Sequence, residues 1–471
     1  MSDPQSKVQF QDISRNDLDR ANASDYVHQF PKGLNKKIVQ RISENKKEPS
    51  WMLDIRFRAL ETFEKLPLPT WGPDLSKLDF KNIRYFSTAS ENPHAKSWDE
   101  VSPEIKRTFE RLRIPEAEKA VLAGVGAQYE SENVYHNLKK EWDDQGVIFE
   151  DFDVAVQKYS DLVRKYFSKC VPILDHKFAA LHYAVTSGGT FLYVPKGIKI
   201  TQPLQAYFRM NSMNQGQFEH TLIIVEDEAD AHYIEGCSAP KYGSQSLHAG
   251  CVEVFVGKGA KMRYSSVENW SKDTYNLNTK RAIVGDHGRM EWIGGNLGSG
   301  VTMLYPCSIL VGNYAQADHL GVAFANAGQN QDTGAKVIIH GKNCRSKIVA
   351  KSLSKGGGTS TYRGMVSVSK NAQNAIVNVE CDALMLDDHS LSDTIPHIKC
   401  ENSTASITHE ASAGKISEEV LLYFQSRGID EEVAKGMIVN GFLDEIVKTL
   451  PLEYAAELNR LIELEMEGSI G

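Results

Sequence analysis

The chain has no closely spaced cysteine pair. Its seven cysteines, at positions 170, 237, 251, 307, 344, 381 and 400, are scattered and include no CxxC. That excludes a zinc-ribbon spacing, and an odd count argues against a disulfide framework. Most of these thiols are therefore expected to be small buried hydrophobes. Long apolar runs are also missing, which excludes a membrane-spanning helix read from hydropathy. The opening MSDPQSKVQF lacks the basic-then-apolar pattern of a secretory signal and the Arg-rich look of a transit peptide, so the cytosol is the expected compartment. An excess of positive charge is absent too: the net charge is −8, which speaks against a nucleic-acid groove as the main surface. The one GGG run, Gly356 to Gly358, is not followed by the Gly-Lys-Ser/Thr of a phosphate-binding loop, so no nucleotide site of the chain's own is expected.

What the chain does have is a repeat. A short phrase starts at Val194, Val225, Val256, Val284, Val311, His340 and Val368, in steps of 31, 31, 28, 27, 29 and 28 residues. Each copy opens a turn-like stretch, such as VEDEA, VGKGA, VGDHG or VGNYA. Six copies carry a small residue four places on: Ala229, Ala260, Gly288, Ala315, Cys344 and Ala372. Within the copies, residues alternate at period two, as in CVEVFVG and KMRYSSVENW, which indicates strands. Units of about 28 residues with no helix between strands fit a right-handed parallel β-helix better than propeller blades, which need about 40–50 residues each. The small residue then marks an inward-facing corner.

Around this array the pattern is helical. Residues 1–169 read as a mainly helical region, with apolar residues at i, i+3 and i+4 in LNKKIVQRISENK, SWMLDIRFRALETFEKL, SPEIKRTFERL, IPEAEKAVL and FDVAVQKYSDLVRKYF. The β-helix is expected over 170–413. Residues 414–471 return to helix, with Ser417 and Asp430 as start signals and Gly428 as a stop. This tail either packs on the solenoid end or docks another subunit. The fold class is α+β.

Residues one coil apart stack at roughly 4.8 Å, so spacing can be read as contact. Cys381 and Glu410 are 29 apart, close to one repeat, and are expected to lie one above the other. His409 would then point to the opposite face. Cys237 and Glu268 are 31 apart, with Trp270 two further along on the same face. A soft thiolate beside a carboxylate or imidazole is a workable iron or iron–sulfur ligand set.

Several stretches carry a resemblance: AVTSGGTFLYVPKGI, GQFEHTLIIVEDEADAHYIEGCSAP, YSSVENW, LNTKRA, VECDALML, STASITHEASAGKISEE and MIVNGF. From about residue 30 to the end, the chain resembles the SufB branch of the SufB/SufD family, scaffold subunits of the SUF iron–sulfur cluster assembly machinery. The resemblance implies a scaffold without turnover of its own that accepts persulfide sulfur and iron and builds a transient, nascent cluster. It implies a SufC-like ABC ATPase docked on the C-terminal helices, a SufD-like paralogue or a second copy of the chain, and a cysteine desulfurase with a sulfur carrier protein. No membrane or nucleic-acid partner is implied. By matched motif, Cys381 and Glu410, with His409 as an additional candidate, correspond to the cluster site, and Cys237 to the sulfur entry point. Arg209, Asn211, Glu268, Trp270 and Lys280 correspond to a path between them. The chain departs from the pattern at Glu268, where glutamine is expected; Glu268 puts a charge in the path.

Two other readings follow from the sequence. A SufD-like structural partner shares the architecture, but the joint presence of Cys381 and Glu410 argues against it. A β-helix polysaccharide lyase needs clustered acids on an outer groove. The candidates are Glu226, Asp227 and Glu228 in one repeat turn, and Asp382, Asp387, Asp388 and Asp393. Adjacent acids on a regular strand face opposite sides, and no secretory signal is visible, so this reading is the weaker one.

Overall fold

A computed structural model describes Ser14 and residues 28–88, 100–111, 122–211, 214–241, 243–449 and 452–467. The helix expected over IPEAEKAVL lies outside the described residues except at its last position. From Gly189 to Lys415 the chain winds as a parallel β-helix, each strand pairing with its counterparts one coil before and one coil after. Ten strands form one wall and thirteen form a second sheet. In the early coils the second sheet is made of two short strands per turn, such as Ser246–His248 and Cys251–Val256. From Asn330–Ile339 onward these fuse into single ten-residue strands, continued by Thr359–Val368 and Leu391–Cys400.

The repeat phrase forms one corner of every coil. In five copies its fourth residue takes a left-handed conformation with φ between 55° and 66°: Glu228, Gly259, His287, Tyr314 and Asn343. The small residue that follows points inward, and Ala229, Ala260, Ala315, Cys344 and Ala372 are fully buried. The second residue is often glycine because the coils stack backbone on backbone there. A Cβ on Gly341 would lie 1.8 Å from the Gly312 carbonyl oxygen, and one on Gly312 would lie 2.0 Å from the Asp286 nitrogen. Asp227, Asp286 and Asn313 complete the corner, each accepting a hydrogen bond from a backbone N–H of the next coil.

Three apolar cores result. One fills the solenoid, with Val254, Ala282, Val284, Leu310, Ile339 and Val368 on its second wall. Another lies between the outer face of that wall and helices Lys36–Asn45, Ser50–Lys65 and Lys177–Val185. Asn35 caps the first of these helices, its side-chain oxygen accepting from the amides of Lys37 and Ile38. The third core sits on the outer face of the ten-stranded wall. There Val439, Leu443, Leu458, Leu461 and Ile462, from helices Glu431–Val447 and Leu452–Glu467, cover Val267, Ile293, Val322 and Leu353. The tail therefore lies along the flank of the solenoid, not over its end. Helix Glu418–Ser426 and the start of the next stay uncovered, leaving Leu422, Tyr423, Val433 and Met437 at least half exposed.

The N-terminal reading needs two corrections. Strands Gly124–Tyr129, Glu132–Leu138 and Ile148–Asp151 lie inside the region expected to be mainly helical; the first joins the wall parallel to Leu204–Arg209, the second pairs antiparallel with the first, and the third pairs antiparallel with Gly189–Val194. Conversely, helix Lys177–Val185 falls inside the range assigned to the β-helix. It is buried all round, so it lacks the one-sided apolar pattern that marks a surface helix. No helix among the described residues is long and apolar enough to cross a membrane.

Candidate functional site

Register determines which side chains share the interior. Cys237 pairs with Glu268, and Glu268 with Asn296, so the 31-residue spacing does bring thiol and carboxylate side by side on one inward column. Trp270 is on the same face and fully buried. Lys280 reaches in from the facing wall. Its Nζ donates to Glu268 Oε1 at 2.7 Å, to Ser266 Oγ at 3.1 Å and to Glu235 Oε1 at 3.3 Å. The charge that departs from the family pattern at 268 is thus neutralised on the spot.

The ion pair belongs to a larger buried network that sequence reasoning missed. The Asn276 amide nitrogen donates to Glu268 Oε2 at 2.6 Å, which turns Asn276 Oδ1 toward His248 Nδ1, 2.8 Å away. The other ring nitrogen, Nε2, meets the Glu219 carboxylate. With acceptors at both nitrogens, His248 is held as an imidazolium, its ring packed 4.3 Å from that of Trp270. Burial alone would lower its pKa, but Glu219 outweighs burial and raises it. Burial would likewise raise Glu268, yet Lys280 and His248 hold it below the usual carboxylate range. Glu235 goes the other way: burial, unmatched by Lys280, pushes it up. Beside these acids, burial together with Glu235 and Glu268 drives the Cys237 thiol well above its ordinary pKa. The signal for this network was a ladder: His248 and Asn276 are 28 apart, and Glu235 is two residues before Cys237.

Arg209 and Asn211 are placed differently from the expected path residues. Arg209 follows the inward Phe208, so its side chain leaves the interior and its guanidinium donates to Ser238 Oγ at 2.9 Å, next to Cys237. Asn211 lies just past the strand, its backbone amide donating to Glu130 Oε1 at 3.2 Å. Both are buried at the rim of the Cys237 coil.

At the far end the sequence reading was one residue out. Cys381 pairs with Ala411 and Glu380 with Glu410, because the local repeat is 30 residues and not 29. A shift of one residue turns a strand's side chains to the other face. Glu410 therefore points outward beside Glu380, and His409 is the residue that meets Cys381, with Nε2 3.6 Å from Sγ. Cys381 is buried at 3% exposure, and burial pushes its thiol up to about 12. The last coil, Leu391–Cys400 and Ser406–Lys415, is the outer edge of both walls, and Leu391, Ile395 and Ile398 are exposed at 41–58%. Among the described residues nothing covers this end. Cys400 lies on it, the one exposed cysteine. Four of the acids weighed for glycan chemistry are engaged elsewhere: Asp227 accepts from the Lys258 amide, Asp382 pairs with Lys351, Asp387 accepts from the backbone amides of Gly356, His389 and Ser390, and Asp388 pairs with Lys415.

The coils between the two thiols enclose a void whose lining includes neither Cys237 nor Cys381. A cavity of about 70 Å³ is lined by Glu268 and Lys280 at one end, His319 and Gly321 in the middle, and Ala350 and Tyr362 at the other. The column leading to Cys381 runs Glu235, Ser266, Gly294, Gly321, Ala350, Cys381. A Cβ on Gly321 would meet nothing within 4 Å, and one on Gly294 only Ser266 Oγ at 3.8 Å. These glycines adjoin space, in contrast to the packed corners.

Comparison with known proteins agrees with this architecture. Residues 208–442 match the family model described as SUF system FeS cluster assembly, SufBD core domain, and residues 36–206 match the SufBD protein N-terminal region. An iron–sulfur cluster assembly SufBD family protein of Staphylococcus aureus (strain MRSA252) is 54% identical over 445 residues, which is 94% of this chain and 96% of that protein. A Staphylococcus epidermidis protein with the same family description matches to the same extent. The chain belongs to the SufBD family of iron–sulfur cluster assembly proteins.

Proposed function

We propose that the chain is a scaffold on which persulfide sulfur and iron meet to build a nascent cluster, with no turnover of its own. Sulfur enters at Cys237, passes along the interior column and reaches Cys381, which holds iron together with His409. The observation that carries this reading is the thiol–imidazole pair of Cys381 and His409 at an uncovered solenoid edge, with a cavity in the coils between it and Cys237. Thiolate and imidazole suit iron, and the proton lost from Cys381 is displaced by the metal. Glu410, on the outer face, is not part of this pair.

The partners follow from the same surfaces. Unpaired strand edges with exposed Leu391, Ile395 and Ile398 suit a second β-helix, either a SufD-like paralogue or another copy. Exposed apolar residues on the tail helices suit a SufC-like ATPase, which supplies the nucleotide hydrolysis. A cysteine desulfurase and a carrier protein deliver the persulfide. A structural SufD-like subunit would keep the walls and the open end, but has no use for a thiol–imidazole pair or for the void leading to it.

The test is anaerobic reconstitution of the purified complex with iron and sulfide. Cys381→Ala is expected to fold and assemble yet lose cluster absorbance, and His409→Ala to weaken it. Sulfur labelling that marks Cys237 in Cys381→Ala, with none at Cys381 in Cys237→Ala, supports the direction of transfer. Wild-type cluster content in Cys381→Ala would defeat the proposal.

A further inference from the structure

A separate cluster of ligating side chains lies on the outer face of the second wall. His220 and Cys251 pair in register on strands His220–Val225 and Cys251–Val256, so their side chains sit side by side on one face. Helix Lys177–Val185 lays His182 against them, and all three residues are buried. One ligand atom from each lies within 4.8 Å of the other two. His182 Nδ1 faces the Ala249 carbonyl oxygen at 3.0 Å, and a carbonyl only accepts, so Nδ1 carries the hydrogen. Burial, with the neighbouring His220, lowers the His182 pKa well below its ordinary value, so Nε2 is bare. That Nε2 meets His220 Nδ1 at 2.9 Å. His220 Nε2, in turn, lies 3.4 Å from Glu253 Oε2 without making a hydrogen bond, and has no such partner among the described residues. A neutral His220 therefore suits one neighbour at the expense of the other. Hydrogen on Nδ1 leaves a bare nitrogen beside a carboxylate, and hydrogen on Nε2 leaves two bare nitrogens face to face. A cation resolves the conflict, either a second proton on His220 or a metal ion, and the Cys251 sulfur beside the rings favours the metal.

We propose that His182, His220 and Cys251 hold one divalent ion of the borderline class, zinc(II) or iron(II), which ties the helix to the solenoid wall. Two imidazoles and a thiolate are ligands that such ions take. Ligating histidines donate their other ring N–H to a carbonyl or carboxylate, which is what Ala249 and Glu253 offer here. The ion bonds His182 Nε2, His220 Nδ1 and Cys251 Sγ. The His220 hydrogen moves to Nε2 beside Glu253, and the thiol proton leaves to solvent. Charge then balances, the two positive charges of the ion against the Cys251 thiolate and the Glu253 carboxylate. Two nitrogens on one tetrahedral zinc stand about 3.3 Å apart, so the rings need to part by only about 0.4 Å. The Tyr183 hydroxyl, 3.8 Å from Cys251 Sγ, donates to the Val171 carbonyl and keeps a lone pair for the fourth position. The rings of Phe152 and Phe167 pack against His220 and keep water away. The cluster belongs to the core outside the second wall, so it does not depend on the reading of the interior as a sulfur path.

The test uses the full chain carrying Cys381→Ala, which removes the thiol of the assembly site. Purified anaerobically after growth with zinc or with iron, this chain is expected to retain one equivalent of metal through dialysis against EDTA. Its X-ray absorption spectrum should show one sulfur and two imidazole neighbours, and the absorption edge tells zinc from iron. Adding Cys251→Ala or His182→Asn should remove that equivalent. If either added variant fails to fold, the spectrum of the Cys381→Ala chain decides alone, and the absence of a sulfur neighbour sinks the proposal. A chain free of retained metal after both growths would overturn it, leaving a proton between the rings. An equivalent that persists with Cys251→Ala would mark an adventitious ion only, and would overturn it as well.

Discussion

Lys280 is the residue whose loss should be felt most in the interior. Its ammonium and the carboxylates of Glu268 and Glu235 are each about 1% exposed, so no solvent screens them. Lys280→Met keeps most of the side-chain volume and deletes the charge. Glu268 is then left ionised and unpaired except for the Asn276 amide, or must take up a proton. Breaking a buried pair in this way costs about 3–5 kcal/mol. At about 2–4 °C per kcal/mol for domains of 150–250 residues, the apparent midpoint should fall by roughly 6–20 °C. The decisive comparison is the double variant Lys280→Met with Glu268→Gln. It leaves only Glu235, whose pKa burial already raises, and should recover most of the loss. Thermal unfolding followed by circular dichroism, with urea denaturation alongside, reads both effects. A single variant that loses less than about 1 kcal/mol would mean that water reaches the pair. A double variant no better than the single would mean that the loss is packing. Either result refutes the reasoning.

Other consequences are simpler to state. In the isolated native chain, Ellman's reagent should titrate one thiol of seven rapidly, and Cys400→Ser should abolish that phase, since the other six are buried; more than one fast thiol would contradict the burial. His248 has a raised pKa in the fold, so its contribution is complete below about 6.5, the unfolded value, and is lost as pH rises through the folded one. The midpoint of the wild type should therefore decline over that interval relative to Glu219→Gln, and nitrogen chemical shifts of His248 should report the imidazolium that its two acceptors hold. Gly341→Ala should lower stability by more than about 1 kcal/mol through backbone contact with the preceding coil, whereas Gly321→Ala, whose Cβ meets open space, should change it by less than that.

Much of this architecture is written in the sequence as a period. The corner phrase with its small fifth residue was legible because every coil solves the same steric problem in the same way, and the Cys237–Glu268 contact followed from the local step of 31. The Cys381 contact did not, for the same physical reason that makes ladders informative. Coil length varies by a residue or two, and a strand's alternation turns one residue of error into the wrong face. No corner phrase precedes residue 410 closely enough to fix that step. The first coil was hidden differently: GVGAQY and ENVYHNL are short and glycine- or asparagine-bearing, and antiparallel pairing at a solenoid's end carries no period. The network around His248 lay in plain view as residue types but needed strands of both sheets to converge.

The interior columns differ in a way that packing alone does not explain. On the second wall, Ala282, Val284, Leu310, Ile339 and Val368 fill their share of the core as a folding solenoid should. On the ten-stranded wall, the column that ends at Cys381 descends from Glu235 and Ser266 through Gly294, Gly321 and Ala350. None of these three needs a left-handed backbone, and Gly321 has open space where a side chain would go. Each omitted methyl or methylene group forgoes about 0.8 kcal/mol of burial, and glycine adds a further backbone entropy cost of about 0.5–1 kcal/mol. Five coils at about 4.8 Å separate the Cys237 coil from the Cys381 coil, a distance of about 24 Å that no side chain spans. The column carries no more than a methyl group over three successive coils, is charged at one end and is closed by a thiol at the other, and so forgoes burial that the second wall takes up in full.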